Sequence, residues 1–340
     1  MSAQPGAARL LRLIAKFPRL RITVAGDLVA DEFIYGQIDR VSREAPVLIL
    51  KYDSTEVVPG GAGNAANNAA ALGARVNLLG AIGADNAGDR LLAALGRGVR
   101  TSNVLRVKGR VTPVKTRILA GGVHSAKQQV VRIDRAGQAV SPAVMTAIER
   151  RLARAFASSD AVILSDYGAG LITPELWKRT RRALRTKRRP VVLVDSRYAL
   201  AGFDGVTACT PNEPEAEALL GTRIGDDRTA LERAGRTLLS MMQSEAVLIT
   251  RGSRGMALFE PKKPTDHIPI VGSDQIADVT GAGDTVIATF TLALAAGATF
   301  GEAARLANIA GGLVVMKRGT ATVSREELAA ALRRARRQDL

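Results

Sequence analysis

Six short runs in this chain are apolar almost from end to end: RITVA at Arg21 to Ala25, Val76 to Leu79, AVIL at Ala161 to Leu164, VVLVD at Val191 to Asp195, Val206 to Thr210 and AVLIT at Ala246 to Thr250. A β-branched and aliphatic run without polar alternation has no face to offer water, so each predicts a strand covered on both sides, as in a parallel sheet. The stretches between them have helical composition: Asn64 to Leu72, Ala87 to Leu95, Ser141 to Phe156, Thr173 to Thr186, Pro214 to Leu220, Asp227 to Met242, Asp284 to Ala296 and Phe300 to Met316. Thr173-Pro174-Glu175 adds an N-cap followed by proline at the first helical position. Strands alternating with helices over most of the length predict an α/β fold, a doubly wound, mostly parallel sheet with helices on both faces and right-handed crossovers.

Two stretches break the rule, Glu32 to Val58 and Val104 to Arg135. There polar and apolar residues alternate without an intervening helix, as in Val114-Lys115-Thr116-Arg117-Ile118-Leu119 and Gln129-Val130-Val131-Arg132-Ile133-Asp134. Half-exposed antiparallel strands forming a small lid beside the main sheet are expected. The domain reading is an N-terminal extension over 1–20, one α/β domain over 21–330 with lid segments at about 32–58 and 104–135, and a basic tail over 331–340.

Composition narrows the function classes. With 46% hydrophobic and 24% charged residues, the chain has the balance of an ordinary globular protein. No segment approaches the roughly 18 consecutive apolar residues of a membrane span, and the first 20 residues lack a secretory pattern, so a cytoplasmic location without membrane association is expected. One cysteine, Cys209, and two histidines, His124 and His267, supply neither a disulfide nor a zinc finger. The formal net charge of +16 invites a polyanion partner. Much of the excess sits in Arg179 to Arg189 and Arg333 to Arg337, which read as solvated helix faces. Only 4% of residues are aromatic, too few for base stacking, so a nucleic-acid partner is not expected, whereas a phosphorylated substrate suits the charge.

The most informative run is Asp278-Val279-Thr280-Gly281-Ala282-Gly283-Asp284-Thr285, which leads into an apolar helix. Gly-Ala-Gly before a helix start leaves backbone N–H groups clear and aligned with the helix dipole, able to hold an anion. Asp284 beside them could take a proton from an attacking hydroxyl. An Asp N-cap after a tight turn is the plainer alternative. The run resembles the C-terminal signature of the ribokinase-like (PfkB) carbohydrate kinases, in which Asp-x-x-Gly-Ala-Gly-Asp carries the anion hole and the catalytic base. A second signature stands more than 200 residues earlier, Pro59-Gly60-Gly61-Ala62-Gly63-Asn64, a glycine-rich turn feeding an Ala-rich helix; taken alone it could equally be a close helix-to-strand turn.

The resemblance implies that Gly60, Gly61, Asn64 and Asp27 bind the sugar. On the nucleotide side it implies that Asn212 and Glu215 act near the ATP phosphates, Glu215 organising Mg²⁺ through water. Thr250, Gly252 and Gly255 would form the turn by those phosphates, Asn308 would line the adenine pocket, and Asp278 and Thr280 match a K⁺ loop found in several relatives. Each also has a structural alternative, with Asn212 as a turn residue, Glu215 in a helix first turn, and Gly252 and Gly255 in a hairpin.

Within the class the chain is most similar to the heptose-7-phosphate kinase branch, the kinase half of bifunctional ADP-heptose synthesis enzymes. The residues that carry this are Ser42 to Val47, Gln128 to Asp134, Ser165-Asp166-Tyr167 and Val279 to Ile287. An acceptor already bearing a phosphate needs a cationic grip. Arg43, Lys115, Arg117, Lys127 and Arg132 are candidates, Arg117 and Arg132 foremost. Two departures stand out. With two histidines the chain cannot hold the His-x-Gly-His motif of the relatives' nucleotidyltransferase half, so it is not expected to make ADP-heptose alone. Asp195-Ser196-Arg197-Tyr198 replaces the usual Asp-Pro-Lys-Gly and loses an expected lysine. A kinase of another sugar or nucleoside (ribose, fructose or ketodeoxygluconate type) and a non-catalytic sugar- or nucleic-acid-binding homologue are the alternatives. Exposed lid edges predict a homodimer through paired sheets.

Overall fold

The computed structural model describes residues 6–122, 127–138, 140–183, 189–271, 278–317 and 319–338. The apolar runs form β1 (Arg21–Gly26), β4 (Arg75–Gly83), β8 (Ala161–Asp166), β9 (Val191–Ser196), β10 (Ala208–Cys209) and β11 (Ala246–Thr250). With β5 (Val99–Val107) they pair in parallel; β12 (Met256–Phe259) and β13 (Asp266–Ile268) add an antiparallel edge. The nine strands run β13-β12-β11-β10-β9-β8-β1-β4-β5. The run Val206 to Thr210 shortens to two ladder residues, bounded by the left-handed Gly205 and by Pro211.

The two-residue period of a strand divides the core into two layers. Ile22, Val24, Ile163, Leu193 and Leu248 enter a buried cluster with α2 (Ala62–Ala71), α8 (Ala282–Ala295) and α9 (Phe300–Val314). Ala25, Val162, Leu164, Val192, Val194 and Val247 enter the other, with α4 (Pro142–Ser158), α5 (Pro174–Ala183) and α7 (Arg228–Met242). Residues 6–20 are no appendage. Helix α1 (Ala7–Ile14) buries Leu10, Leu13 and Ile14 in the first layer against α10 (Arg325–Gln338), and Phe17 follows them in.

A second sheet, ordered β3-β2-β6-β7, lies beside the first. Its strands are β2 (Leu28–Val41), β3 (Leu48–Gly61), β6 (Val114–Gly121) and β7 (Gln128–Arg135). β2–β3 and β6–β7 are antiparallel hairpins, joined by a parallel contact between β2 and β6. Helix α3 (Asn86–Ala93), N-capped by Asp85, packs on β2 and β3 and ties the two sheets together. The second lid segment begins at Val114, not at Val104: Val99 to Val107 pairs with β4, and Val99 and Val104 pack on the main core. One face of the lid keeps Ile38, Val41, Leu48, Tyr52, Val131 and Ile133 exposed. Of the basic clusters, Arg179 and Arg181 pair with Glu149 and Asp204. Residues 184–188 within the first cluster lie outside the described residues, as does His124, and so do the side chains of 335–337 in the second. No helix of the described residues is long and apolar enough to cross a membrane.

Candidate active site

Sheet winding reverses at β1, with β4 and β5 to one side and β8 onward to the other. Such a switch point opens a crevice at the carboxyl ends of the strands, where open α/β sheets bind ligands. The segments after β1, β8 and β9 converge there with the start of α8 and with lid strands β2 and β6, which contribute Asp31, Lys115, Tyr167, Arg197, Gly281 and Asp284 to one pocket. The pocket holds about 50 Å³. A larger cavity of about 660 Å³, between Trp177, Arg181 and Gln243, lies at the opposite, amino-terminal edge of the sheet.

Helix α8 is preceded by its N-cap Gly281, whose φ of 77° is left-handed and whose missing side chain leaves room for the Asn64 amide. The Ala282 N–H donates to the Val279 carbonyl at 3.2 Å. The N–H groups of Gly281 and Gly283 meet no acceptor among the described residues, and open space faces Gly283. These two amides stand at the positive end of α8, where an anion is favoured, while the Ala282 amide is already engaged.

Asp284 is buried in the first turn. Its Oδ2 accepts from Asn64 Nδ2 at 2.7 Å and its Oδ1 from the Tyr167 hydroxyl at 3.0 Å. Burial pushes the carboxyl up to about 6, while those two hydrogen bonds pull it back down. An acid with that value is mostly ionised at neutral pH yet basic enough to take a proton.

Asn64, expected to meet sugar hydroxyls, is engaged with the Asp284 carboxylate. Its Nδ2 also lies 3.4 Å from the Gly281 carbonyl, and its Oδ1 accepts from Asn68 Nδ2 at 3.0 Å. Asn68 Oδ1 accepts from the Thr285 hydroxyl at 2.8 Å, which closes a buried network on Asp284. Asp27 is likewise turned from the pocket. Its carboxylate accepts from the amides of Tyr167 and Ala169 at 2.9 Å and of Leu171 at 3.3 Å, fixing the segment after β8. Asp31 lines the pocket together with Asp284, and its Oδ1 accepts from Arg117 at 2.7 Å. Gly60 and Gly61 are strand residues at the end of β3. A methyl at Gly60 would overlap Asp31, and Gly61 borders the pocket at φ 56°. Arg132 pairs with Asp134 on the exposed β7 and does not line the pocket.

The expected nucleotide residues gather at the carboxyl ends of β10 and β11, where Asn212 and Thr250 bridge. Asn212 and Glu215 cap α6 (Glu213–Leu220) reciprocally, with Asn212 Oδ1 accepting from the Glu215 amide at 2.8 Å and Glu215 Oε2 from the Asn212 amide at 2.9 Å. Gly252 is left-handed with open space beside it, while Gly255 packs on the Ile268 backbone. Asn308, buried on α9, donates to the Pro269 carbonyl at 2.7 Å. Asp278 pins its loop through the amides of Thr280 and Gly319. The main-chain carbonyls of Asp278 and Thr280 accept nothing from the described residues, which leaves both free to meet a cation.

Asp195, half-buried, has no side-chain hydrogen bond among the described residues. Burial, then Glu215 and Asp284, hold its carboxyl well above the usual range. Burial also raises Glu215. The Arg197 charge offsets part of this crowding, and a divalent cation keeping most of its waters would offset more.

The pfkB family carbohydrate kinase model matches residues 28–327. The chain belongs to that family. A pfkB kinase is a phosphotransferase acting on a sugar hydroxyl. The Bifunctional protein HldE of Desulfatibacillum aliphaticivorans is 41% identical over 323 residues, covering 94% of this chain and 64% of that protein. That of Caulobacter vibrioides is 40% identical over 325 residues, covering 94% and 65%. The chain thus spans less than two thirds of these relatives. Among solved structures, Arabidopsis thaliana ribokinase complexed with ribose and ATP superposes with a TM-score of 0.71 at 21% identity, covering 92% of this chain and 98% of that one. Escherichia coli phosphofructokinase-2 in complex with potassium gives 0.74 at 18%, covering 93% and 99%.

For a pfkB kinase, the residues that sequence reasoning passed over are instructive. Asp31 follows Val29 on the pocket side of β2, a strand alternation visible in the sequence. Asn68 lies four residues after the expected Asn64 in an Ala-rich helix, hence on the same face. Tyr167 and Arg197 stand out in the sequence only as marks of resemblance and departure. Arg197 supplies a cation where the sequence loses an expected lysine.

Proposed function

We propose that the chain transfers the γ-phosphoryl group of ATP to the anomeric hydroxyl of D-glycero-D-manno-heptose 7-phosphate, giving the 1,7-bisphosphate, in the cytoplasm. The observation that carries the reading is the buried carboxylate of Asp284 in the same helical turn as the free amides of Gly281 and Gly283. The identity of about 40% to the HldE proteins supports the choice of sugar.

On this reading Asp284 accepts the hydroxyl proton as the sugar oxygen attacks phosphorus in line, and the bond from phosphorus to the departing ADP oxygen breaks. The amides of Gly281 and Gly283 hold the oxygens of the transferred group. Asn64 and Tyr167 aim the base, and Asp31 accepts from sugar hydroxyls. Thr250, Asn212 and Gly252 face the nucleotide phosphates; Gly255 shapes their turn, and Asn308 holds the segment beside the adenine. Asp195 and Glu215 would hold Mg²⁺ through water, and that ion, when bound, screens phosphate charge. The carbonyls of Asp278 and Thr280 would take K⁺. Movement of the lid over the acceptor excludes water.

The deciding experiment is a panel of acceptors in a coupled ADP-release assay: heptose 7-phosphate, unphosphorylated heptose, ribose, fructose, ketodeoxygluconate and a nucleoside. Heptose 7-phosphate is expected to give the highest kcat/KM. A higher value for any other acceptor overturns the assignment.

A further inference from the structure

Five basic lid residues could in principle hold a phosphate on the acceptor, and their partners separate them. Arg117 is bound to Asp31, Lys127 to Asp53 and Arg132 to Asp134. Arg43 sits on the exposed turn between β2 and β3, away from the pocket. Lys115 is half-buried, lines the pocket, and has no carboxylate within ion-pair distance among the described residues. A second cation without such a partner among the described residues, Arg197, faces the same space. The Arg197 guanidinium lies 4.4 Å from the centroid of the Tyr167 ring and the Lys115 ammonium 5.5 Å from the same centroid. The two charges are therefore closer than about 10 Å, the distance over which charges still interact at roughly 0.1 M salt.

We propose that Lys115 and Arg197 form a clamp across Tyr167 that binds the phosphate group of the acceptor, making Arg197 a specificity-determining residue; this rests on the sugar-phosphate reading above. Two like charges held this close without a direct ion-pair partner among the described residues favour the arrival of a dianion, although Asp31 and Asp284 line the same pocket. Burial, followed by the charge of Arg197, already draws the Lys115 ammonium down from its ordinary value. Arginine suits the task because its planar fork grips phosphate oxygens in a bidentate manner while stacking on an aromatic ring. The Tyr167 hydroxyl donates to Asp284. Tyr167 thus touches both the clamp and the base and ties phosphate recognition to base position. The Asp-Ser-Arg-Tyr sequence after β9 keeps a cation here and changes its shape.

The test uses the full chain with saturating ATP, in wild type, Arg197→Ala, Arg197→Lys and Lys115→Ala. Inorganic phosphate is the first probe, needing no assumption about the sugar. It is expected to compete with the acceptor in wild type and to lose at least tenfold in inhibition in both alanine variants. KM for heptose 7-phosphate should rise at least tenfold in those variants, with KM for ATP unchanged and partial recovery in Arg197→Lys. Unchanged phosphate inhibition and unchanged acceptor KM in both alanine variants would overturn the clamp. So would a fall in kcat shared equally by phosphorylated and unphosphorylated acceptors, which would place the cations on the transferred group instead. If phosphate competes as expected but heptose 7-phosphate is not turned over, the sugar assignment fails and the clamp stands. Turnover of heptose 7-phosphate with unaltered KM in the variants does the reverse.

Discussion

Asp284 owes its basicity to burial, and burial also makes it costly. Moving its carboxyl from 3.8 to about 6 disfavours the ionised form in the folded protein. Turnover on the proposed reading needs that ionised form, so kcat should decline as pH falls through about 6, measured at saturating substrates. Folding stability responds in the opposite sense. A carboxyl raised on folding binds its proton more tightly in the native state, so its contribution improves as pH drops from about 6 towards 3.8, by at most roughly 3 kcal/mol at about 1.4 kcal/mol per pKa unit. Asp284→Asn should therefore cost about 10³-fold in kcat while leaving the protein as stable or more so at pH 7.5, as judged by thermal melts. A loss of both stability and ATP binding would mark Asp284 as a structural cap. Removing a hydrogen bond that favours the carboxylate has a distinct signature, so Asn64→Ala should move the acid limb of kcat above that of wild type.

At the scale of elements, the start of α8 is where strand, helix and lid must agree. Gly281→Ala would force a side chain into a left-handed φ and against the Asn64 amide. Displacing Asn64 releases Asp284, so we expect a fall in kcat of about tenfold or more, corresponding to at least about 1.4 kcal/mol, the low end of what a hydrogen bond to a charged group contributes. KM for ATP should change little. Helix α1 makes a different point. Its buried Leu13 sits in the core layer that also contains α8 and α9. Leu13→Ala should cost about 2–5 kcal/mol in denaturant unfolding. A cost below about 0.5 kcal/mol would show that the first helix is dispensable.

Across the whole molecule, the lid's outer face is the feature that a lone protomer explains least. Val41, Tyr52, Val131 and Ile133 are each about half exposed or more, and a contiguous apolar sheet face invites pairing. A homodimer through the lid is our proposal for what covers it. Sedimentation of the wild-type chain at micromolar concentration should give a dimer, and Val131→Asp with Ile133→Asp should give a folded monomer. A monomeric wild type would remove the proposal.

The order of strands and helices is legible in the amino-acid sequence alone, because a parallel strand buried on both faces must be apolar throughout and its crossover helix must be amphipathic. Gly281-Ala282-Gly283-Asp284 is equally legible, since chain-local geometry suffices to put free amides and a carboxylate in one turn. What the sequence could not decide was direction and partnership. Asp27 and Asp31 are both acids near the end of β1, yet only the tertiary packing turns the first onto the amides after β8 and leaves the second facing the pocket. Arg117, Arg132 and Lys115 look alike as lid cations until their partners are known. The reason is physical: alternation along a strand fixes which residues share a face, whereas charge pairing and burial depend on segments distant in the chain, and those come together only when the sheets dock.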